Sequence, residues 1–415
     1  MSPEHPPQVP INAAQIRRRA VFFVPGFDPA SPRQHRERYR REGAEQAAIS
    51  GYELEFGGAT AGPHAWSVRG RIDAAECQSQ IEVLSWSDIV ARQMRGGPLL
   101  SYARLARTAW IYMSSGALRR LVRLRKGPVL AISYPVWVLL IQALLALVPV
   151  TVLGTLGGTW GLPGALLGWL LGLGPAYALL AWFKRHDGRL LAHYLIHDFA
   201  YAVQDRGAYP EELAARLNAF ADRVANAHAA TQAATQFDEV LIVGHSSGAA
   251  LAVSLLARLE REGRLPKGQV ALLTLGHAIP MLSFLPGATR LRADLAQLSE
   301  SDAITWLDVS APGDGCAFAL CDPVAVSGVA GPGKRWPLVI SAAFRQTLSP
   351  ERRHALRWRF FRLHFQYLSA FDHPGLYDYF AITAGPLSLA QRISGRRPSQ
   401  SRIETALSPH RDRAA

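Results

Sequence analysis

The sequence predicts an α/β fold: a mostly parallel sheet with helices on both faces, interrupted by a helical hairpin that crosses a membrane. Two observations predict the sheet. Short apolar runs recur along the chain, at residues 20–24 (AVFFV), 81–85 (IEVLS), 239–243 (EVLIV), 270–275 (VALLTL), 304–309 (ITWLDV) and 337–341 (PLVIS). Amphipathic helical stretches alternate with them, at 211–230, 248–262 and 351–370, and Ser31-Pro32 supplies a cap and first-turn proline for another. Strands buried on both faces and alternating with helices make a parallel sheet. The third observation is the uncharged run from 127 to 183.

That run, 57 residues by its numbering, contains no Asp, Glu, Lys or Arg. A membrane-spanning helix needs roughly 20 apolar residues, so the run holds two spans, at about 131–153 and 162–183, joined by a turn near 154–161. The flanks are basic: Arg119, Arg120, Arg123, Arg125 and Lys126 before it, Lys184, Arg185 and Arg189 after it. The turn carries no charge. Positive residues stay on the cytoplasmic side, which predicts an integral protein of the inner (cytoplasmic) membrane with its α/β domain in the cytoplasm. Tyr134, Trp137, Trp182 and Phe183 fall near that boundary and Trp160 at the far turn. Gly164, Gly168 and Gly172 recur every fourth residue. Small residues at that spacing let a second backbone approach, either the first helix of the hairpin or the same helix of a homodimer partner. The segment 99–124 mixes aromatic, aliphatic and Arg residues at helical spacing, as an amphipathic helix would, on a membrane surface or in a soluble body.

The organisation that follows is a flexible Pro-rich leader at 1–17, a first part of the α/β domain with a juxtamembrane helix at 18–126, the hairpin at 127–183, a second part of the α/β domain at 184–390, and a disordered basic tail at 391–415. The leader lacks the apolar core of a signal peptide. Three cysteines in 415 residues suit a reducing compartment. Cys316 and Cys321 lack the further ligands of a metal site, so no metal or cofactor is expected. The formal charge is +13, but no zinc-finger or RNA-binding signature accompanies it, and nucleic acid is not an expected partner.

The stretch FDEVLIVGHSSGAAL at 237–251 carries the chemistry. A buried strand ends in Gly244-His245-Ser246-Ser247-Gly248, and a small-residue helix follows. This strand–turn–helix arrangement of G-x-S-x-G resembles the nucleophile elbow of the α/β-hydrolase superfamily of lipase- and esterase-like enzymes. The resemblance covers roughly 18–125 and 186–385. It implies that Ser246 is the nucleophile and that the Ser247 N–H at a helix N-terminus donates to an oxyanion. A second donor comes from the loop after the first strand, where Phe27 in Pro25-Gly26-Phe27-Asp28 is the candidate. His-Gly is common there in the family; Pro25 has no N–H to offer. Asp28 is read as stabilising its own turn.

The acid and base follow in the family's order. Asp314, between Gly313 and Gly315 beyond the fifth strand, is the candidate acid, with Asp322 as the alternative. Asp308 lies within the strand. A serine needs a neighbouring base; His364, followed shortly by Tyr367, is the candidate, with His373 as the alternative and His354 also in order. His245 is read as packing. Thr274-Leu275-Gly276 resembles a lipase-like turn, and the apolar residues 279–286 line an acyl pocket, form a lid, or simply pack. These residues predict a membrane-anchored serine hydrolase cleaving lipid or lipophilic esters through an acyl-enzyme. The alternatives are a catalytically silent membrane scaffold of the same fold and an acyltransferase with the same triad.

Overall fold

In the computed structural model, residues 15–60, 64–226, 237–266 and 268–414 are described. Eight strands form one sheet: β1 Arg18–Val24, β2 Glu53–Ala59, β3 Ala65–Ile72, β4 Ala75–Val83, β5 Glu239–His245, β6 Gln269–Leu275, β7 Ile304–Ser310 and β8 Leu338–Ser341. Their spatial order is β2-β3-β4-β1-β5-β6-β7-β8. From β4 to β8 every pairing is parallel. β3 runs antiparallel to both of its neighbours. The six expected strands are all present, with β4 beginning six residues earlier than its apolar run. The β2–β3 hairpin is an addition. Its sequence, rich in Glu, Arg and Gly, carries no apolar run because β2 is a solvated edge, held to its neighbours by pairs such as Arg71–Glu53 at 2.9 Å.

The helices before the uncharged run are α1 Pro32–Ser50, α2 Ser87–Gln93, α3 Pro98–Ser114 and α4 Ala117–Leu124. Ser31 caps α1 in a capping box with Gln34, as Ser-Pro suggests. The hairpin is α5 Lys126–Gly158 and α6 Leu162–Arg185. Then come α7 Ala192–Ala202, α8 Glu211–Ala225, α9 Gly248–Arg261, α10 Ile279–Ser283 and α11 Thr289–Glu300. Residues 227–230 of the expected helix 211–230 lie outside the described residues. The C-terminal third holds short pieces: α12 Pro323–Val326, α13 Phe344–Thr347, α14 Pro350–Leu356, α15 Phe360–His364, a 3₁₀ turn at Gln366–Leu368, α16 Tyr379–Ala384 and α17 Leu389–Ile393. The single helix expected at 351–370 is therefore three pieces. It bends at Arg357–Arg359, and the bend turns His364 inward.

The sheet is buried on both faces because its strands alternate between two cores. On β1, Ala20, Phe22 and Val24 join one cluster, against α2, α8, α9 and α11. Val21 and Phe23 join the other, with Tyr39 of α1 and the C-terminal pieces. Each fully buried side chain of this size contributes about 1.5–3 kcal/mol. A third cluster joins α3, α4, α7, α10 and the first half of α5, including Leu139.

α5 and α6 are both long and apolar enough to cross a membrane. At ~1.5 Å per residue, the 33 residues of α5 reach about 50 Å. Its first half is fastened to the body: Leu139 and Gln142 are buried, Tyr102 Oη donates to the Leu139 carbonyl at 3.0 Å, and His193 Nε2 meets Gln142 Oε1 at 3.1 Å. Its second half touches α6, and leucines such as Leu144 and Leu171 are more than 60% exposed. Gly164, Gly168 and Gly172 face α5 of the same chain; a Cβ on Gly168 would sit 2.1 Å from the Leu153 carbonyl oxygen. The face considered for a homodimer is thus covered within the hairpin.

Two expectations for the termini meet different outcomes. Residues 1–14 of the leader lie outside the described residues. The tail expected to be disordered is instead pinned along the body: Ile403 N donates to Leu320 O at 2.7 Å, Asp322 N to Ile403 O at 2.9 Å, and Leu407 N to Val326 O at 3.0 Å. Backbone pairing holds it despite its Ser/Pro/Arg composition. Arg19, the last of three consecutive arginines at 17–19, is fully buried. It pairs with Glu239 at 2.5 Å and donates to Gly385 O and Leu387 O.

Candidate active site

Four carboxyl ends of the parallel strands converge on one cavity. In open α/β sheets this is where ligands bind. The β1 end supplies Gly26, Phe27 and Asp28; β5 supplies His245 and Ser246; Ala278 follows β6; and Cys316 lies on the loop after β7. His364, Phe361 and Phe365 close one wall, and Tyr194, Leu195, Asp198 and Phe199 of α7 another. Pro128, Ala131 and Ile132, from the first turns of α5, complete the lining.

Ser246 takes a left-handed backbone, with φ of 58°, which a residue with a Cβ rarely adopts and which costs of order 1–3 kcal/mol. The turn is held from both sides. Ser246 N donates to Leu275 O at 3.0 Å, and Ser246 O accepts from Ala278 N and Ala249 N. Glycines make the room. A Cβ on Gly248 would lie 2.3 Å from Val24 O, and one on Gly244 2.6 Å from Ala249 Cα. Gly26 brings the β1 loop against the elbow; a Cβ there would be 3.0 Å from Ser246 Cβ.

Asp314 and His364 come together. His364 Nδ1 donates to Asp314 Oδ2 at 2.7 Å, and both side chains are buried. Tyr367 Oη donates to the same oxygen at 3.0 Å, and Cys316 N donates to Oδ1 at 2.9 Å. The acid is thus fixed by three donors. His364 Nε2 is buried and has no hydrogen-bond partner among the described residues, so no bond joins it to the Ser246 hydroxyl in this state. His245 packs as expected, with its ring 4.7 Å from that of His364. It also donates from Nε2 to the His364 carbonyl at 3.0 Å. Burial, with the neighbouring His364 adding to it, holds the His245 pKa well below the usual imidazole value, so the ring is a neutral donor.

The alternatives fall elsewhere. Asp322 caps α12 through Val324 N and Ala325 N and pairs with Lys334 Nζ at 2.6 Å. His373 is exposed, and its backbone N–H donates to Thr347 O; His354 is exposed as well. Asp308 accepts from Thr274 Oγ1 at 2.6 Å inside the sheet. Asp28 accepts from Ala30 N at 2.9 Å, a turn role as expected. Residues 279–286 are mostly packed, with Met281 reaching the cavity.

The oxyanion candidates show one departure. Phe27 N does not point free; it donates to Ser247 Oγ at 2.9 Å. The Phe27 loop is locked by Trp86 Nε1 donating to Pro25 O, by Tyr194 Oη donating to Phe27 O, and by the Phe27 ring against Trp86 and Tyr201. Ser247 N lies at the start of α9, where helix amides are unpaired.

Asp314, Cys316 and His364 each present one potential metal-ligand atom, all within 4.8 Å of one another. Their chemistry fits a metal poorly. Asp314 Oδ2 is already shared by two donors, and burial raises the Cys316 thiol pKa far above the usual value, whereas a metal takes the thiolate.

Sequence reasoning does not single out Asp198 or the first turns of α5 as parts of the site. Asp198 is the one acid in the apolar stretch AHYLIHDFAYA of α7, and that isolation is the signal the sequence offers. The cavity is narrow, about 60 Å³. That is room for a few water molecules, and the cavity is partly open to solvent.

Compared with known protein families, curated proteins and solved structures, the chain matches none.

Proposed function

We propose that the protein is a membrane-anchored serine hydrolase that cleaves lipophilic esters. One observation carries the reading: Ser246, on a strained strand-to-helix turn, shares a buried cavity with a histidine whose other nitrogen is held by a buried aspartate. In the mechanism His364 Nε2 takes the Ser246 proton as Oγ attacks the ester carbonyl. Asp314 keeps the His364 proton on Nδ1 and stabilises the imidazolium. The Ser247 amide, and the Phe27 amide once Ser247 Oγ turns aside, receive the developing oxyanion. The imidazolium gives its proton to the departing alcohol, and water then resolves the acyl-enzyme. The strand-end placement of these groups supports an α/β-hydrolase-like architecture. The uncharged hairpin with basic flanks supports an inner-membrane anchor with the site on the cytoplasmic side, and favours substrates dissolved in the bilayer.

A second reading is a catalytically silent scaffold. The unpartnered His364 Nε2, the Phe27 amide turned to Ser247 Oγ and the narrow cavity favour it. One experiment separates the two. Full-length protein in detergent is treated with a small fluorophosphonate and, separately, with a short phenyl ester, wild type beside Ser246→Ala. A hydrolase labels and turns over, and Ser246→Ala abolishes both, with turnover falling by about 10³-fold or more. A folded wild type inert to both reagents points to the scaffold or to a closed site.

A further inference from the structure

Asp198 is an acid at the site that the triad does not use. It lines the cavity beside Ser246 and His364. The one charge that acts on it is that of His364, and no hydrogen bond to its carboxyl is formed among the described residues. The nearby donors are already spent. Tyr194 Oη donates to Phe27 O, Tyr112 Oη to Met281 O at 3.1 Å, and His364 Nδ1 to Asp314. Much of the remaining wall is apolar, with Leu195, Phe199, Met281 and Phe361. Asp198 is half-buried, and its carboxyl, with no internal donor, stays open to the cavity, so a bound molecule can take the place of water as its hydrogen-bond partner.

We propose that Asp198 is a specificity-determining residue that hydrogen-bonds a hydroxyl of the substrate, so that the site selects hydroxyl-bearing esters, such as glyceryl monoesters, over simple alkyl esters. This rests on the reading of Ser246 as nucleophile. A hydroxyl fits better than a substrate ammonium for two reasons. His364 becomes cationic during the reaction, and a second cation in so small a cavity would oppose it. Burial also pushes the Asp198 pKa up to about 7, so near neutrality the carboxyl both donates and accepts, which is what a hydroxyl requires.

The test compares kcat/KM for the glyceryl, ethyl and choline esters of decanoic acid, with full-length protein in detergent, for wild type, Asp198→Asn and Asp198→Ala. Fluorophosphonate labelling reports Ser246 reactivity in each. The expected result is a glyceryl-over-ethyl preference of about tenfold in wild type, most of it kept by Asp198→Asn and lost in Asp198→Ala. Labelled proteins whose glyceryl-to-ethyl ratio does not move with Asp198 overturn the proposal and leave the nucleophile in place. A common shift of all three esters in their pH profiles, with the glyceryl-to-ethyl ratio unchanged, overturns it too, because Asp198 would then act only through His364. Choline ester as the preferred substrate overturns the hydroxyl assignment. Absence of labelling in folded wild type overturns this proposal together with the hydrolase reading.

Discussion

At the scale of single residues, the site concentrates backbone and electrostatic cost. Ser246 holds a left-handed φ, and Asp198 is a carboxyl that burial raises to about 7. The second has a consequence for stability. An acid whose pKa is higher in the fold than in the unfolded chain holds its proton longer when folded. Between about pH 4 and 7 the unfolded chain therefore binds fewer protons, and stability falls as pH rises. Asp198→Asn removes this term. Its melting temperature should exceed that of wild type at pH 8, and the difference should close by pH 4, as differential scanning fluorimetry in detergent would report. An Asp198→Asn variant no more stable than wild type at pH 8 would mean that the carboxylate has a structural partner instead. Ser246 is legible in the sequence because G-x-S-x-G depends on contiguous residues. Asp314 and His364 are legible by chain order and loop position. Asp198 is not, because an isolated acid acquires meaning only when the fold sets it against His364.

At the scale of elements, apolar content decides what the sequence can reveal. The six strands buried on both faces are readable as apolar runs; the solvated β2–β3 edge hairpin is not, since its residues satisfy water on one side. The helix expected at 351–370 fails for a similar reason. Its apolar spacing serves three short pieces packed on the sheet, and the bend at Arg357–Arg359 brings His364 to Asp314. The α5–α6 hairpin is plain from its lack of charge, and its glycines have an assigned neighbour. Gly168→Leu should force α5 and α6 apart, since even a Cβ meets the Leu153 carbonyl; overpacking costs about 1–3 kcal/mol or more. Gly174→Leu, where nothing lies within 4 Å of the added Cβ, should be neutral. Equal melting temperatures for the two variants in detergent would show that α5 and α6 do not pack through this face.

At the scale of the whole molecule, distant parts of the chain are tied through a few buried polar groups. Arg19 on β1 holds Glu239 on β5 and the carbonyls of Gly385 and Leu387 near the C-terminus. Glu239 in turn accepts from Leu389 N at 2.6 Å. Arg19→Met leaves that carboxylate buried without its cation, which costs about 3–5 kcal/mol. Thermal unfolding should show a marked drop in melting temperature, with much of it restored in Arg19→Met/Glu239→Leu. A single variant as stable as wild type would place Arg19 in solvent. None of this tie is visible in the sequence, where Arg19 is one of three consecutive arginines with nothing to set it apart.

The position of Pro128, Ala131 and Ile132 gives the hairpin a second meaning. On the reading of α5 as a membrane span, one helix, with Pro135 and Pro149 inside it, is both the anchor and a wall of the cavity. A helix answers a thicker or thinner bilayer by changing its tilt, and because Leu139 and Gln142 fasten the first half of α5 to the body, Pro149 beyond them lets the exposed half follow the bilayer while that wall stays in place. The hairpin can then adapt to what surrounds it without reshaping the cavity.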